Sequence, residues 1–310
     1  MITTVTLNPA LDQLLATDEL AVGDTNRTRL LSESAAGKGI DVAKVLRDLD
    51  CRVNATGFLG GDVAGIFVRC FKDEKIGNYF IRIKESTRTN IQLFEKSGRR
   101  TELLEAGPSV SHEECASLME QFKKLASASD AVTICGSVPA GVDKDYFLNL
   151  VRTARHSCRC VIVDTSGEWL KLAVDQKPDL IKPNRKEITE LMGREKADDA
   201  EIIAFGQQLV RQGVPYILVS LGGDGAMLIC DSGVWRGQAP DIEVKSTLGC
   251  GDSMVASLSV SLSEQLPPEE MLKKSIALSA ANAMTFETAH VILDDYKKLL
   301  HEVHIEKIER

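Results

Sequence analysis

Aromatic residues are scarce here, at 5% of 310 residues. No apolar run approaches the roughly 18 residues that a membrane helix needs. The N-terminus has no basic segment leading into an apolar core, and Asn8-Pro9 interrupts the only candidate, so no secretory leader is expected. None of the eight cysteines forms a CxxC pair; the nearest are Cys158 and Cys160. That spacing speaks against a zinc site, and a reduced, cytoplasmic setting is the simple expectation. The net charge of −8 denies the chain the basic face of a general nucleic-acid binder. A local group of Lys and Arg still admits an anionic substrate. No G-x-G-x-x-G follows the first strand, which disfavours a nicotinamide dehydrogenase, and no G-x-x-x-x-G-K-[ST] occurs, which disfavours a P-loop kinase. No repeat, low-complexity stretch or linker divides the chain, so one domain over 1–310 is expected.

Hydrophobic residues, at 44%, suffice for a sizeable core. Strand-like and helical stretches alternate, as in a parallel sheet covered on both faces. Ile2–Leu7, Val53–Phe58, Ala131–Cys135, Cys160–Val163 and Tyr216–Val219 read as strands. Gly39–Leu49, Glu113–Leu125, Tyr146–Thr153 and Ile202–Gln212 read as helices, and the last third as Met254–Glu264, Glu269–Met284 and Asp294–Val303. Thr17–Ser34, polar and extended, and Thr89–Glu105, alternating around Ser97-Gly98 like a hairpin, stand outside this alternation.

The segment Ser246-Thr247-Leu248-Gly249-Cys250-Gly251-Asp252-Ser253-Met254 carries the most chemistry. Two glycines flank a small residue ahead of an apolar helical run. Such a turn lets a ligand approach the backbone, and the unpaired N–H groups of a helix start attract an anion. Asp252 beside that cradle can accept the proton of a hydroxyl attacking a phosphate, which suggests phosphoryl transfer with a general base. An ordinary glycine turn capped by Asp252 is the alternative on these residues alone. Gly136-Ser137-Val138-Pro139 follows a strand and puts Ser137 at the carboxyl end of the sheet, where open α/β folds bind ligands.

Three more segments stand in order with that turn: Thr6-Leu7-Asn8-Pro9-Ala10-Leu11-Asp12, Ala35-Ala36-Gly37-Lys38-Gly39-Ile40-Asp41, and Ile181-Lys182-Pro183-Asn184-Arg185-Lys186-Glu187. Together the four resemble the ribokinase-type carbohydrate kinases, in the hexose-phosphate branch of 1-phosphofructokinases and tagatose-6-phosphate kinases. The similarity runs from about Met1 past Asn282. It implies a three-layer α/β/α fold with a mainly parallel sheet, and a small β-sheet lid from segments about 12–36 and 86–106 that also serves a homodimer. It implies ATP and Mg2+, and a small sugar phosphate as substrate, with no nucleic-acid or membrane partner.

By the same resemblance Asp252 is the base, and Gly249, Cys250 and Gly251 form the anion hole. Asp12, Gly37, Lys38, Gly39, Asp41 and Ser137 border the sugar phosphate, whose existing phosphate Arg27 and Arg88 hold. Lys182, Asn184, Ser220, Gly222, Gly223, Gly225 and Asn282 lie toward the nucleotide, and Glu187 toward magnesium. Asp41 departs from the family's usual asparagine, losing a donor and adding charge near an anion. The stretches Gly37–Ile40 and Gly251–Met254 lean toward 1-phosphofructokinase, and Thr101–Pro108 toward tagatose-6-phosphate kinase. A non-catalytic sugar-phosphate sensor is the remaining alternative, with Asp41 as its support.

Overall fold

The computed structural model describes residues 1–308. Its strands are β1 (Ile2–Thr6), β2 (Ala10–Thr17), β3 (Arg29–Ala36), β4 (Val53–Gly60), β5 (Gly77–Asn78), β6 (Ile81–Ile83), β7 (Arg88–Glu95), β8 (Arg100–Leu104), β9 (Ala131–Cys135), β10 (Cys160–Asp164), β11 (Leu180–Ile181), β12 (Tyr216–Ser220), β13 (Ala226–Cys230), β14 (Gly233–Gly237) and β15 (Ile305–Ile308). Its helices are α1 (Lys38–Asp48), α2 (Ala64–Asp73), α3 (His112–Ser127), α4 (Lys144–Ser157), α5 (Gly167–Asp175), α6 (Arg185–Leu191), α7 (Asp199–Gln212), α8 (Cys250–Ser263), α9 (Pro268–Ala283) and α10 (Leu293–Glu302).

The large sheet runs β15-β14-β13-β12-β11-β10-β9-β1-β4-β5, with β6 also paired to β4. From β12 to β5 every pairing is parallel. The β12–β15 margin is antiparallel, which the alternation of strands and helices did not foretell. Side chains of a strand point alternately to opposite faces. Val132, Ile134, Val161, Val163, Ile217 and Val219 therefore pack into one core with α3, α4, α5, α6 and α7. Ala131, Cys135, Cys160, Ile162 and Leu218 pack into the other with α1, α2, α8, α9 and α10. The result is the expected three-layer α/β/α arrangement. Burial on both faces explains why these strands read as unbroken apolar runs.

The two segments outside the alternation form a separate sheet, β3-β2-β7-β8. β2 pairs antiparallel with β3 and parallel with β7, and β8 closes the hairpin on β7. This sheet leaves the core at Asn8-Pro9 and returns through α1, so its first residues meet the carboxyl end of the main sheet. No helix among the described residues is long and apolar enough to cross a membrane.

Candidate active site

The Gly249–Gly251 turn is shaped by one glycine conformation. Gly249 caps α8 with φ +77, and a Cβ there would lie 2.6 Å from the Ala289 backbone nitrogen. Only glycine meets both conditions. α8 then begins at Cys250 and brings Gly251 and Asp252 into its first turn. Asp252 is 9% exposed, and its Oδ1 has no hydrogen-bond partner. Burial pushes its carboxyl up to about 6, with Lys38 and Lys182 opposing the rise and Asp164 adding to it. A carboxyl in that range sheds and accepts a proton near neutral pH. The neighbouring Cys250 is no nucleophile. Burial raises its thiol, and the sulfur rests against the Ser279 carbonyl at 3.5 Å.

A residue absent from the sequence-derived site links the two halves. Asp164 ends β10, is 1% exposed, and takes Lys38 Nζ at 3.2 Å and Lys182 Nζ at 3.4 Å on the same oxygen. Burial alone would raise this carboxyl, but Lys182 and then Lys38 outweigh it and hold it below the usual range. Asp164 in turn holds the Lys38 ammonium well above the usual lysine range. Lys38 opens α1, where the dipole disfavours a cation, so the buried anion explains its placement. Lys182 Nζ lies 3.3 Å from where a Cβ on Gly251 would stand, against the anion-binding turn. A carboxylate closing a buried parallel strand at its carboxyl end was the available signal for Asp164.

At the start of α1, a Cβ on Gly39 would stand 2.4 Å from Thr6 Oγ1, and one on Gly37, at φ +126, would stand 2.8 Å from Thr6 Cγ2. These glycines let the start of α1 sit on β1. Asp41, 7% exposed, lies in the first turn with Oδ1 unpartnered and Lys44 Nζ at 3.7 Å. Its carboxyl is raised by burial, with Asp252 and Asp12 adding and Lys44 opposing. Asp12 on β2 faces Asn90 on β7 by register, and Asn90 Nδ2 donates to Asp12 Oδ1 at 2.9 Å. Burial raises the Asp12 carboxyl, opposed by Asn90 and Lys44. Asn8 Nδ2 donates to Ser137 Oγ at 3.1 Å and to the Ala106 carbonyl at 3.0 Å. Ser137 is thereby drawn to the base of the lid.

Several assigned residues stand differently from expectation. Arg88 donates from Nη1 to the Glu105 carbonyl and from Nη2 to the Asn8 carbonyl, both at 3.0 Å. Its guanidinium staples the lid to the core, while Nε is buried without a partner. Arg27 is not brought to this site. It is exposed in the loop before β3, and its carbonyl accepts from Thr17 Oγ1. Thr17 is five residues along β2 from Asp12, about 17 Å at the usual strand rise. Nearness in sequence to the lid strands does not by itself place this exposed loop residue on the lid face that carries Asp12.

At the start of α6, Asn184 and Glu187 form a reciprocal helix cap. Asn184 Oδ1 accepts from Glu187 N at 2.9 Å, and Glu187 Oε2 accepts from Asn184 N at 2.8 Å. Glu187 keeps one carboxylate oxygen uncommitted. Ser220 ends β12, and its N–H bonds the Pro183 carbonyl at 3.0 Å. Gly222 and Gly223 are exposed, with open space where side chains would be. Gly225 is buried instead, and a Cβ there would fall 2.0 Å from the Gly237 carbonyl oxygen. Its glycine is required by the turn onto β13, not by a nucleotide. Asn282 is also corrected. It is fully buried, and Nδ2 donates to the Leu248 carbonyl at 2.7 Å, so it braces the residue before Gly249.

The model for pfkB family carbohydrate kinases matches residues 6–294. The chain is 33% identical over 309 residues to 1-phosphofructokinase of Bacillus subtilis, covering 99% of this chain and 100% of that one. Phosphofructokinase-2 from Escherichia coli, in a crystal structure with potassium, superposes with a TM-score of 0.92 at 29% identity, over 97% of this chain and 98% of that one. The same enzyme in complex with fructose-6-phosphate gives 0.89 at 28% identity, again over 97% and 98%.

Proposed function

The chain belongs to the pfkB family of carbohydrate kinases and is an ATP-dependent sugar kinase of the phosphofructokinase type; within that class we propose that it phosphorylates the 6-hydroxyl of fructose 1-phosphate. The observation that carries the chemistry is the buried Asp252 carboxyl one residue beyond the Gly249–Gly251 turn, with Lys182 against Gly251. Asp252 takes the proton of the attacking hydroxyl as the new O–P bond acidifies it. The N–H groups of the turn and the Lys182 ammonium stabilise charge on the phosphoryl group in transit. Lys38, held by Asp164, sits between sugar and phosphate and keeps two anions close together.

Asp12 accepts from sugar hydroxyls while Asn90 fixes its orientation. The remaining donors of Arg88, with Lys38, favour the phosphate already on the sugar. Magnesium fits the residues present: Glu187 has one free oxygen, and Asp164 Oδ2 is buried without a partner. Mg2+ prefers oxygen ligands and retains waters, so these two carboxylates suffice beside nucleotide phosphates. It would neutralise phosphate charge there. Gly222 and Gly223 leave the backbone open to the nucleotide.

The whole of 1–310 acts as one kinase domain. Its lid exposes Leu30, Leu31, Leu103 and Leu104 beside the open edges of β3 and β8, which suits pairing of two lids in a homodimer. A tagatose-6-phosphate kinase is the second reading. Thr101–Pro108 favours it, and Ala106 and Gly107 of that stretch press on Asn8 at the base of the lid. Turnover with ATP and Mg2+ on fructose 1-phosphate, tagatose 6-phosphate, fructose 6-phosphate and free sugars tests the proposal. A kcat/KM for fructose 1-phosphate below that for any other member of the panel overturns the assignment, and no turnover on any would revive the sensor.

A further inference from the structure

The segment between α9 and α10 reaches the back of the catalytic turn without belonging to it. Ala289 is 2% exposed with φ +57, and its nitrogen lies 2.6 Å from the point a Cβ on Gly249 would occupy. The backbone of this segment therefore forms the wall against which the Gly249 turn is set. The wall is organised from within: the Thr285 hydroxyl is 2.9 Å from the carbonyls of Asn282 and Glu287 and 3.3 Å from that of His290. Asn282, at the same end of α9, holds the Leu248 carbonyl one residue before Gly249.

One side chain from elsewhere in the chain fastens the far end of the wall. Asp48 closes α1, the helix whose first residues are Lys38 and Gly39. Its Oδ2 accepts the Val291 N–H at 2.8 Å and lies 3.2 Å from His290 Nδ1. A carboxylate 243 residues away in sequence thus fixes two consecutive residues directly after Ala289. α1 and α8 also pack against each other. The same helix therefore carries the sugar-side glycines at one end and the fastening of the anion-hole wall at the other.

We propose that Asp48 is a positioning residue for phosphoryl transfer: it latches the Thr285–Val291 segment so that Ala289 holds the Gly249–Gly251 turn in its catalytic position. The inference rests on the anion hole lying at that turn. Released from Asp48, the His290-Val291 end loses both contacts to α1, and the wall behind Gly249 is free to recede. The turn acts on the transferring group more than on bound sugar. A displacement of the order of 1 Å at such a site costs about 10²-fold in rate. The effect belongs in kcat, with the KM of the sugar phosphate left in place.

The test compares Asp48→Ala, Asp48→Asn and Asp252→Asn with the wild-type enzyme. Asp48→Ala is expected to lower kcat about 10- to 100-fold with the sugar-phosphate KM within about twofold. Asp48→Asn should recover most of the rate, because an amide oxygen in the place of Oδ2 still accepts from the Val291 N–H and from an N–H at His290 Nδ1. If Asp48→Ala does not fold, His290→Ala takes its place; it removes one arm of the latch and should lower kcat several-fold. Wild-type kcat in a folded Asp48→Ala, or in His290→Ala where that variant stands in, overturns the latch. So does a loss that Asp48→Asn does not recover. Asp252→Asn separates the two ideas: if it stays active, the reading of this turn as the reacting site is wrong, whereas its inactivity beside an active Asp48→Ala condemns only the latch.

Discussion

Lys38 and Lys182 share a single acceptor, Asp164 Oδ1, at 3.2 and 3.4 Å. One lysine opens α1 and the other lies against the Gly249–Gly251 turn. The buried carboxylate between them keeps two cations together before any phosphate arrives. Asparagine at 164 would keep the shape and lose the charge. Removing one partner of a buried ion pair costs about 3–5 kcal/mol, and the partial exposure of Lys38 places this case toward the lower end. The Asp164→Asn variant should melt earlier, and ATP added without Mg2+ should restore more stability to it than to the wild type, because nucleotide phosphate replaces the missing anion. Melting curves with and without ATP check this; identical curves for both proteins would refute the role. The carboxyl is held below its unfolded value, so its contribution is present above the ordinary aspartate range and lost as pH falls below it.

Asp252→Asn removes the acceptor for the hydroxyl proton while preserving size. General-base loss costs about 10²- to 10⁴-fold in kcat. Nucleotide affinity, measured by titration calorimetry, should change little. In the wild type the carboxyl must be ionised to act, and burial has moved it to about 6. The rate should therefore rise as pH increases through that value and level above it. A variant keeping more than half the wild-type kcat, or a flat acid limb in the wild type, contradicts the assignment.

Arg88 serves two ends, so its replacement should register twice. Its contacts to the Asn8 and Glu105 carbonyls tie the lid to the core. Its other donors point to the sugar phosphate in the proposed complex. Arg88→Ala should raise the sugar-phosphate KM about 10- to 100-fold, in keeping with the loss of a charge-assisted bond, and also lower the melting temperature. Arg88→Lys should recover part of the binding and little of the stability, since an ammonium does not bridge two carbonyls as a fork does. An equal rise in the KM of ATP and of sugar phosphate would leave Arg88 with the structural role alone.

The sequence made the main layers legible because burial is written in its periodicity. Ala131–Cys135 appears as an apolar run since it is covered on both sides, and α1 shows its helical spacing since one face packs on β1 and β4. The β13–β15 margin was not legible; one hairpin and a four-residue final strand carry too little pattern to distinguish them from loops. The turn at Gly249–Asp252 was legible because a backbone constraint and a carboxylate stand side by side. Asp164 was not singled out, because its partners Lys38 and Lys182 are 126 and 18 residues away and only the strand order joins them. Gly225 and Asn282 were given to the nucleotide on type and position, whereas their contacts show a backbone crossing and a buried brace.

Asp41 yields the clearest dependence on pH. The side chain is enclosed among Asp12, Asp252, Lys44 and, on α2, Cys70. Lys44 is the single cation in that set, and its nearest contact is the Ala35 carbonyl at 2.6 Å rather than Asp41 at 3.7 Å. Burial and two other carboxylates thus keep a proton on Asp41 up to about 8. At neutral pH the residue carries a donor, as asparagine does. Both Asp41 and Asp252 have carboxyls raised above the unfolded value. Their contribution to stability is therefore complete below the ordinary aspartate range and is lost as pH rises through about 6 for Asp252 and about 8 for Asp41. Asp41→Asn cannot ionise. Its melting temperature should gain on the wild type as pH rises from the ordinary aspartate range to about 8 and keep a constant lead above that, while its sugar-phosphate KM should match the wild type near pH 6.5 and fall below it as pH passes 8. Parallel pH series of melting curves and KM values measure both. Wild-type and Asp41→Asn profiles that run parallel across pH 6 to 9.5 would show that Asp41 is ionised throughout, with Lys44 as its true partner.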